Sequence, residues 1–316
     1  MRETMGKKGK RSNKSAGNGK AKTGTGKARR ERAAAVKEIE ARIDALIEKL
    51  EEEQKDTELF GPLAERNECP LCFVPVSLTD EEDAYNPCCG KRTCSGCLIA
   101  HMKATRNRAS IQNGSLAYEY CCPFCRSTMM GTAESLGVQR SHIEQAKTRI
   151  REKNDIDAMI FLASLYAKGM MGVQEDELAS FDLLLRAGEQ GSAKALTDIA
   201  SACYRGTIAK KNVVCAKKLS TIAAKKGWPL AHYQLGVFYK NEKDDVQLQA
   251  EHFAYAAKGG HLYSIKICRE LCDEGKLSQS EYDSVEQSFL DTKKSEWSEA
   301  REDAEKYCPP RTWEMY

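Results

Sequence analysis

The stretch from position 88 to position 97 reads Cys88-Cys89-Gly90-Lys91-Arg92-Thr93-Cys94-Ser95-Gly96-Cys97 and holds four cysteines in ten residues. Two further pairs flank it, Cys69-Pro-Leu-Cys72 before it and Cys122-Pro-Phe-Cys125 after it. A Cys-x-x-Cys turn brings two sulfurs to one ion with little strain, and structural zinc takes four such ligands in a tetrahedron. The eight cysteines therefore predict two structural zinc ions.

The order of the four pairs leaves two arrangements open. Neighbouring pairs share an ion in a sequential arrangement, whereas the first and third pairs share one ion in a cross-brace and the second and fourth share the other. Two nearby residues are not expected to be ligands. Cys121 would break the Cys-Pro-x-Cys turn and is predicted to be a spare thiol, and His101, four residues beyond Cys97, is predicted to be a packing or surface histidine.

Length and cysteine usage bound the class of protein. A chain of 316 residues exceeds one typical domain, which predicts two or three modules. No apolar signal segment follows Met1, and the longest apolar-rich run, 158–167, is too short to cross a bilayer. We therefore expect a soluble intracellular protein without membrane association. In the reducing interior of a cell, clustered cysteines are more often metal ligands than disulfides. Four others are expected to be buried thiols in helices: Cys203, Cys215, Cys268 and Cys272.

Charge is concentrated at the start of the chain. The formal net charge is +3, yet the first 32 residues hold twelve basic and two acidic side chains, which leaves the remainder at −7. Residues 1–31 are predicted to be a disordered basic tail because they contain almost nothing apolar. The cluster at 7–11 is a weak nuclear import signal, so we expect a cytoplasmic or nuclear location. Nucleic-acid binding is disfavoured because the tail lacks interleaved aromatic residues.

A helix with a heptad seam is predicted for residues 32–56. Its apolar residues are spaced 3, 4, 3 and 4 apart, at Val36, Ile39, Ile43, Leu46 and Leu50. The seam is shorter than the three or four heptads that usually mark a stable coiled coil. The sequence leaves open whether this helix forms a homodimer or packs against the adjacent cysteine-rich region.

An internal repeat follows the cysteines. Its markers recur at 36 or 37 residues and pair Gly169 with Gly206, Ala179 with Ala216, Ala187 with Ala224, and Gly191 with Gly227. Small residues are suited to close helix packing and glycines to helix ends, so each copy is predicted to be a helix-turn-helix unit. Units of this kind stack into a solenoid in which each repeat contacts mainly its neighbours.

The repeats resemble the Sel-one-like repeats, relatives of the tetratricopeptide repeat, through Leu162-Ala-Ser-Leu-Tyr166-Ala-Lys-Gly169 and Leu235-Gly-Val-Phe-Tyr239. The resemblance implies a solenoid over 155–280, reached through a linker helix at 140–154. A capping helix and tail are expected over 281–316, with the apolar residues Val285, Phe289, Leu290, Trp297 and Ala300 covering the end of the stack. The expected fold is thus mostly α: a disordered tail, one heptad helix, a small zinc domain over 66–130 and the solenoid.

The cysteine motifs resemble an all-cysteine RING finger. Cys-Pro-Leu-Cys, Cys-Cys-Gly-x3-Cys-x2-Cys and Cys-Pro-Phe-Cys-Arg carry the resemblance, which is to the U-box-like RING of a retinoblastoma-binding protein family. It departs from the commonest RING pattern in having Cys89 where a histidine is usual. The resemblance implies the cross-brace, with Cys69, Cys72, Cys94 and Cys97 on one zinc and Cys88, Cys89, Cys122 and Cys125 on the other.

RING fingers are ubiquitin ligase modules, so the resemblance implies a ubiquitin transferase that forms no covalent intermediate. Its partners would be ubiquitin, a ubiquitin-conjugating enzyme and a protein substrate held by the solenoid. The docking patch for the conjugating enzyme carries over to Leu71, Leu98, Ile99 and Pro123. Arg126 matches the cation that bridges the conjugating enzyme and ubiquitin. The alternative is a zinc-stabilised scaffold without ligase activity, since fold does not fix function.

Overall fold

The computed structural model describes residues 26–78, 83–106, 110–112, 115–117, 120–130, 136–242 and 245–305. The basic cluster at 7–11 and the predicted tail as far as residue 25 lie outside these ranges. The predicted boundary of the tail needs one correction, because the first helix begins at Gly26 rather than at residue 32. No helix among the described residues is long and apolar enough to cross a membrane.

The secondary structure is mainly helical, as predicted. In chain order the described helices are α1 (Gly26–Glu53), α2 (Ser95–Arg106), α3 (Leu136–Lys153), α4 (Ile156–Lys168), α5 (Glu177–Glu189), α6 (Ala193–Arg205), α7 (Val213–Lys225), α8 (Pro229–Glu242), α9 (Val246–Lys258), α10 (Leu262–Asp273), α11 (Gln279–Glu296) and α12 (Glu299–Glu305). The strands are β1 (Asp83–Asn86), β2 (Lys91–Cys94), β3 (Ser110–Gln112), β4 (Ser115–Ala117), β5 (Tyr120–Cys121) and β6 (Thr128–Met130). They form three antiparallel pairs, β1–β2, β3–β4 and β5–β6.

Helices α4 to α11 form the solenoid. Each packs on its neighbours in the chain, in the pairs α4–α5, α6–α7, α8–α9 and α10–α11. Gly169 and Gly206 end the first helices of two successive repeats at φ +60° and +69°, a left-handed conformation that favours glycine. The core between the helices is fully buried and includes Leu185, Leu196, Ile199, Leu219 and Phe253. The 37-residue spacing therefore marks a real structural repeat.

Helix α1 lies along the solenoid on α5 and α7. Arg42 anchors it with ion pairs to Asp182 and Glu189 of α5, at 2.7 and 3.1 Å. The heptad seam is buried in the same core as the repeats, through Ile39, Ile43, Leu46 and Leu50. The partner of the seam is thus neither a second copy nor the cysteine-rich region. The homodimer through residues 32–56, one of the two alternatives for this helix, is corrected because the apolar surface of the seam is already covered within the chain.

An extended segment continues from α1 across the next repeat, and we call residues 54–66 the strap. The Ala64 N–H donates to the Gly227 carbonyl over 3.0 Å, and the Tyr255 hydroxyl donates to the Gly61 carbonyl over 2.8 Å. A Cβ at Gly227 would lie 2.4 Å from the Pro62 carbonyl oxygen, so only glycine fits there. The repeat marker at 227 is therefore also a seat for the strap.

The end of the chain differs from the predicted capping helix. It consists of two helices, because α11 ends at Glu296 and α12 begins at Glu299. Val285 is buried as expected, but Leu290 and Trp297 are 53% and 60% exposed. Ala300 lies on α12, which packs against α2 of the cysteine-rich region rather than against the repeats. Helix α11 completes the last helix pair, and α12 has a separate role.

The buried seam makes a testable prediction about stability. Leu46 is 3% exposed in the core, so we expect Leu46→Ala to lower the free energy of unfolding by about 2–5 kcal/mol. Urea unfolding followed by circular dichroism measures the change. Glu48→Ala, on the exposed side of the same helix, is the matched control and should change it by less than about 0.5 kcal/mol. Equal effects of the two substitutions would contradict the packing of α1 on the solenoid.

A buried histidine pair predicts how stability depends on pH. His232 Nδ1 and His252 Nδ1 lie 3.0 Å apart, both side chains are fully buried, and Phe60 of the strap packs on both rings. Burial lowers the pKa of His232 to about 4 and, with the neighbouring His232, that of His252 to about 3. Between these values and the ordinary 6.5, the unfolded chain binds more protons than the folded one.

Stability should therefore fall as the pH drops below about 6.5, by up to about 1.4 kcal/mol per pH unit for each histidine. We expect His252→Gln to remove about one histidine's share of this slope between about pH 5 and pH 6.5. Urea unfolding of both proteins across that range measures the difference, in which contributions from the rest of the chain cancel. An unchanged slope would contradict the buried neutral pair.

Candidate metal centre and its surroundings

The structure gathers the eight cysteines of the pairs into two quartets within residues 66–130, here called the cysteine block. The four sulfurs of each quartet lie within 4.8 Å of one another. The quartets are Cys69, Cys72, Cys94 and Cys97, and Cys88, Cys89, Cys122 and Cys125. The first pair is thus grouped with the third and the second with the fourth. This is the cross-brace grouping, not the sequential one.

Local structure explains how the first quartet forms. The Phe73 N–H donates to the Cys69 carbonyl over 2.8 Å and closes the first turn. Cys94 is the last residue of β2, and Cys97 lies in the first turn of α2. The Cys94 N–H points at the Cys69 sulfur over 3.4 Å, and the Cys97 N–H points at the Cys94 sulfur over 3.3 Å. A strand end, a helix start and a turn therefore aim four sulfurs at one point.

The second quartet depends on the turn between β1 and β2. Asn86 is fully buried and accepts at its carbonyl from the N–H groups of Cys89 and Gly90, over 3.2 and 2.7 Å. Gly90 has φ +74°, and a Cβ there would collide with the Arg149 guanidinium. The other half of the quartet is the turn at 122–125, closed by the Arg126 N–H donating to the Cys122 carbonyl over 3.1 Å.

The donor set and its spacing fit tetrahedral metal coordination. Four sulfurs at about 2.3 Å from one ion lie about 3.8 Å apart along the tetrahedron's edges. The Cys72 and Cys94 sulfurs are 3.9 Å apart, and the Cys89 and Cys122 sulfurs are 3.7 Å apart. Thiolates are soft ligands that select zinc, copper(I) or iron–sulfur clusters over magnesium or calcium. Each quartet can therefore hold one metal ion with little rearrangement.

Electrostatics within the quartets favour thiolates at particular cysteines. Burial acts to raise the pKa of Cys69, but N–H groups pointing at its sulfur, led by that of Cys94, outweigh burial and lower it to about 7. Burial also acts to raise the pKa of Cys125, yet hydrogen bonds led by Ser127 bring it down to about 6. Cys88 and Cys97 have raised pKa values because of burial and their neighbouring thiols. Each quartet thus contains one cysteine whose thiol ionises readily to the thiolate that binds a metal cation.

Both Cys-Pro-x-Cys turns, at 69–72 and 122–125, are followed by a residue in an uncommon backbone conformation. Phe73 follows Cys72 at φ +59°, and Arg126 follows Cys125 at φ +62°. Non-glycine residues rarely adopt a positive φ, and here each N–H closes its turn on the carbonyl four residues back. The conformation carries both side chains outward, with Phe73 73% exposed and Arg126 exposed.

The residues of the expected docking patch have different exposures. Leu71 is 38% exposed, whereas Leu98, Ile99 and Pro123 are half-buried. A Cβ at Gly96 would lie 2.6 Å from the backbone of Ala300 and Arg301, so α12 fills that side of α2. Residues two positions apart on a helix point about 200° apart, which places Leu98 on the side away from α12. Helix α12 therefore does not cover the Leu98 side of α2, where Leu98 is partly exposed.

The cysteine block is fastened to the start of the solenoid. Arg92 of β2 pairs with Asp157 of α4 over 2.6 Å and also with Asp83 of β1. Tyr85 donates to the carboxylate of Asp155 over 3.2 Å, and Asp155 also accepts from Arg149 of α3 over 2.7 Å. Asp155 is in addition the residue that caps α4. The β1–β2 hairpin therefore docks on the first repeat through a polar network.

The block is also fastened to the end of the chain. Arg301 of α12 is 6% exposed and donates to the carbonyls of Val74 and Pro75 over 3.2 and 2.8 Å. Arg66 at the end of the strap pairs over 3.2 Å with Glu296 of α11, whose side chain is 4% exposed. The same block thus contacts both ends of the solenoid, and we call these two sets of contacts the clasp.

Two sequence expectations concern residues beside the quartets. Cys121 lies outside both quartets, and its carbonyl oxygen is 2.8 Å from His101 Nε2, which gives that histidine a packing role. Arg92, close to the quartets in the chain, is committed to ion pairs with Asp83 and Asp157. Lys91 lies over the Phe124 ring, 4.6 Å from its centre.

Sequence reasoning missed Phe73, Asp157 and Arg301. Phe73 directly follows a Cys-x-x-Cys turn, the same position as Arg126, and this equivalence was a usable signal. The contacts of Asp157 and Arg301 join residues 65 and about 227 positions apart. No local sequence pattern predicts contacts between residues so far apart in the chain.

Comparison with known proteins found similar solved structures but no matching family. No protein-family model matches the chain, and no curated protein matches it. Among solved structures, a Sel1 repeat protein from Oxalobacter formigenes is similar, with 24% identity and a TM-score of 0.43, over 49% of this chain and 64% of that one. A protective antigen of uropathogenic Escherichia coli with an SLR fold has 20% identity and a TM-score of 0.40, over 52% and 39%. The chain spans less than two thirds of either, and its repeats are assigned from their own packing.

Proposed function

We propose that this protein is a RING-type ubiquitin ligase whose two cysteine quartets each bind a structural zinc ion. The observation that carries the proposal is the grouping of the first cysteine pair with the third and the second with the fourth. The solenoid is a protein-interaction architecture that would hold the substrate or an assembly partner. Catalysis would consist of positioning two other proteins rather than of chemistry on this chain.

The composition of the cysteine block supports zinc as a folding element. Its buried apolar cluster among the described residues comprises Cys69, Val76 and Cys94, with Cys72 and Cys97 packed against it. A cluster of this size supplies too little hydrophobic burial to order the block. In such a domain the free energy of metal binding is the free energy of folding.

Adjacent cysteines provide a matched test of zinc binding. We expect the purified protein to hold two zinc ions per chain, measured by plasma mass spectrometry after dialysis. Cys122→Ser removes a sulfur from the second quartet and should lower the count to one or fewer, because a quartet with three thiolates binds zinc far more weakly. Cys121→Ser leaves both quartets complete and should keep two zinc ions. A count of two in both variants would contradict the assignment.

The exposed residues of the two turns support docking of a conjugating enzyme. Leu71 and Phe73 present apolar surface from the first turn, and Arg126 presents a guanidinium from the second. Arginine carries five donors on a planar fork, which suits it to hold two protein surfaces at once. Arg126 would then stabilise the reactive pose of the ubiquitin thioester by charge-assisted hydrogen bonds.

Discharge of ubiquitin from a charged conjugating enzyme to free lysine tests the ligase. With a panel of such enzymes, we expect accelerated discharge that Arg126→Ala reduces at least about tenfold, because the variant loses donors aimed at the reacting complex. Arg126→Lys should restore little, since an ammonium lacks the planar fork. Leu71→Ala should weaken binding of the conjugating enzyme.

Matched controls separate docking from folding. Leu262→Ala removes a leucine of nearly equal exposure, 39%, from α10, and Arg140→Ala removes an exposed arginine from α3. Both should discharge ubiquitin like the parent protein. The absence of discharge across the panel, with two zinc ions bound and the helical spectrum intact, would reject the ligase proposal.

The clasp favours a second candidate, a non-catalytic scaffold. The block contacts the two ends of the solenoid through Arg92, Tyr85 and the carbonyls of Val74 and Pro75. In a scaffold, zinc would fix the shape of the repeat array and Arg126 would have no partner in ubiquitin transfer. Accelerated discharge with none of the conjugating enzymes, together with loss of partner binding on zinc chelation, would favour the scaffold.

The clasp and α1 also indicate which surface is left for a partner. Helix α1 covers α5 and α7, and the strap covers the turns after α7 and α9. Helix α1 thus packs mainly on second helices of the repeats, and the side formed by the first helices α6, α8 and α10 is less covered by it. We propose that a protein substrate binds along this second side.

A further inference from the structure

A pair of thiols lies in the second repeat, well separated in the chain from the quartets. Cys203 is in the last turn of α6 and Cys215 is in the first turn of α7, with their sulfurs 3.6 Å apart. Asn212 fixes this approach from both sides. Its N–H donates to the Cys203 carbonyl over 2.9 Å, and its side-chain oxygen accepts from the Cys215 N–H over 3.0 Å.

The pair stands where the preceding repeat has larger residues. Positions 37 residues earlier are Tyr166 and Leu178, which pack partly buried against the core. Two cysteines occupy less volume, and both line a cavity of about 70 Å³ between α1, α6 and α7. Cys215 also lines a wider recess beside Lys218. A cavity of this size admits water-sized molecules, so the sulfurs are within reach of small reagents.

The two sulfurs differ in their electrostatic surroundings. The hydrogen bond between Cys215 and Cys203, together with nearby Lys218, lowers the pKa of Cys215, against burial and the charge of Asp44. The same hydrogen bond raises the pKa of Cys203, and burial and Asp44 add to the effect. The first turn of a helix stabilises an anion and the last turn disfavours one, which acts in the same directions. Cys215 is thus the more readily ionised of the two thiols.

We propose that Cys203 and Cys215 form a redox-active dithiol that hydrogen peroxide converts to a disulfide. The Cys215 thiolate attacks one peroxide oxygen, the O–O bond breaks, and the departing hydroxide takes up a proton to leave as water. The Cys203 sulfur then attacks the Cys215 sulfenic acid, forming the S–S bond and releasing a second water. Two thiols lose two electrons and one peroxide gains them, so the step balances. The product would join α6 to α7 across the turn at 206–212.

Mass spectrometry of the zinc-loaded full-length protein tests this proposal. After graded peroxide and alkylation of free thiols, trypsin releases 195–205 and 212–217, each with one cysteine. We expect these peptides to be disulfide-linked at peroxide levels that leave the zinc content unchanged, and dithiothreitol to separate them. Cys268 and Cys272 of α10 are the internal control and should remain alkylated.

Single variants assign the roles of the two sulfurs. In Cys203→Ser, Cys215 should accumulate as sulfenic acid that dimedone traps, because its resolving thiol is gone. In Cys215→Ser, dimedone labelling of Cys203 should be about tenfold lower. The proposal would be overturned if peptides 195–205 and 212–217 stayed unlinked at peroxide levels that already release zinc. Equal dimedone labelling of the two variants would also overturn it.

Discussion

The cysteine block depends on two groups of four sulfurs, each gathered around one point, with almost no apolar core around them. In the first quartet the sulfurs come from a turn, a strand end and a helix start, and Val76 is the only non-cysteine member of the buried cluster described there. Mutual approach of thiols stabilises nothing by itself, and a cation between them does. We therefore regard the proposed zinc ions as the main source of order in the block, and the outward aim of Phe73 and Arg126 as its consequence.

The order of the block matters to the rest of the chain because the block joins the solenoid's ends. Repeat arrays hold their shape through nearest-neighbour contacts alone. Here α1 and the strap run along several repeats, and the clasp ties the first repeat to α12 through Arg92 and Arg301. The array therefore has long-range contacts in addition to those between neighbouring repeats. Zinc binding in the block would thus influence helices far from either quartet.

Sequence predicted most of the parts and few of their contacts. The repeat spacing and the glycines Gly169 and Gly206 fixed the helix pairs because helix ends and packing follow local rules. The cysteine spacing left two groupings open, and the resemblance to a RING implied the one that the geometry displays. The seam of α1 was visible, but its partner was not, since a heptad pattern shows which face is apolar and not what covers it. The contact of Arg301 with the block carried no sequence signal because its acceptors there are backbone carbonyls about 227 residues away.

The cross-brace itself is open to direct measurement by replacing the proposed zinc with ¹¹³Cd and recording cadmium–proton correlations by NMR. Each cadmium couples to the β protons of the cysteines that bind it, so the spectrum reports which residues share an ion. Two cadmium resonances are predicted, one coupled to Cys69, Cys72, Cys94 and Cys97 and the other to Cys88, Cys89, Cys122 and Cys125. A cadmium resonance that couples to both Cys69 and Cys88 would contradict the cross-brace and the ligase surface built on it.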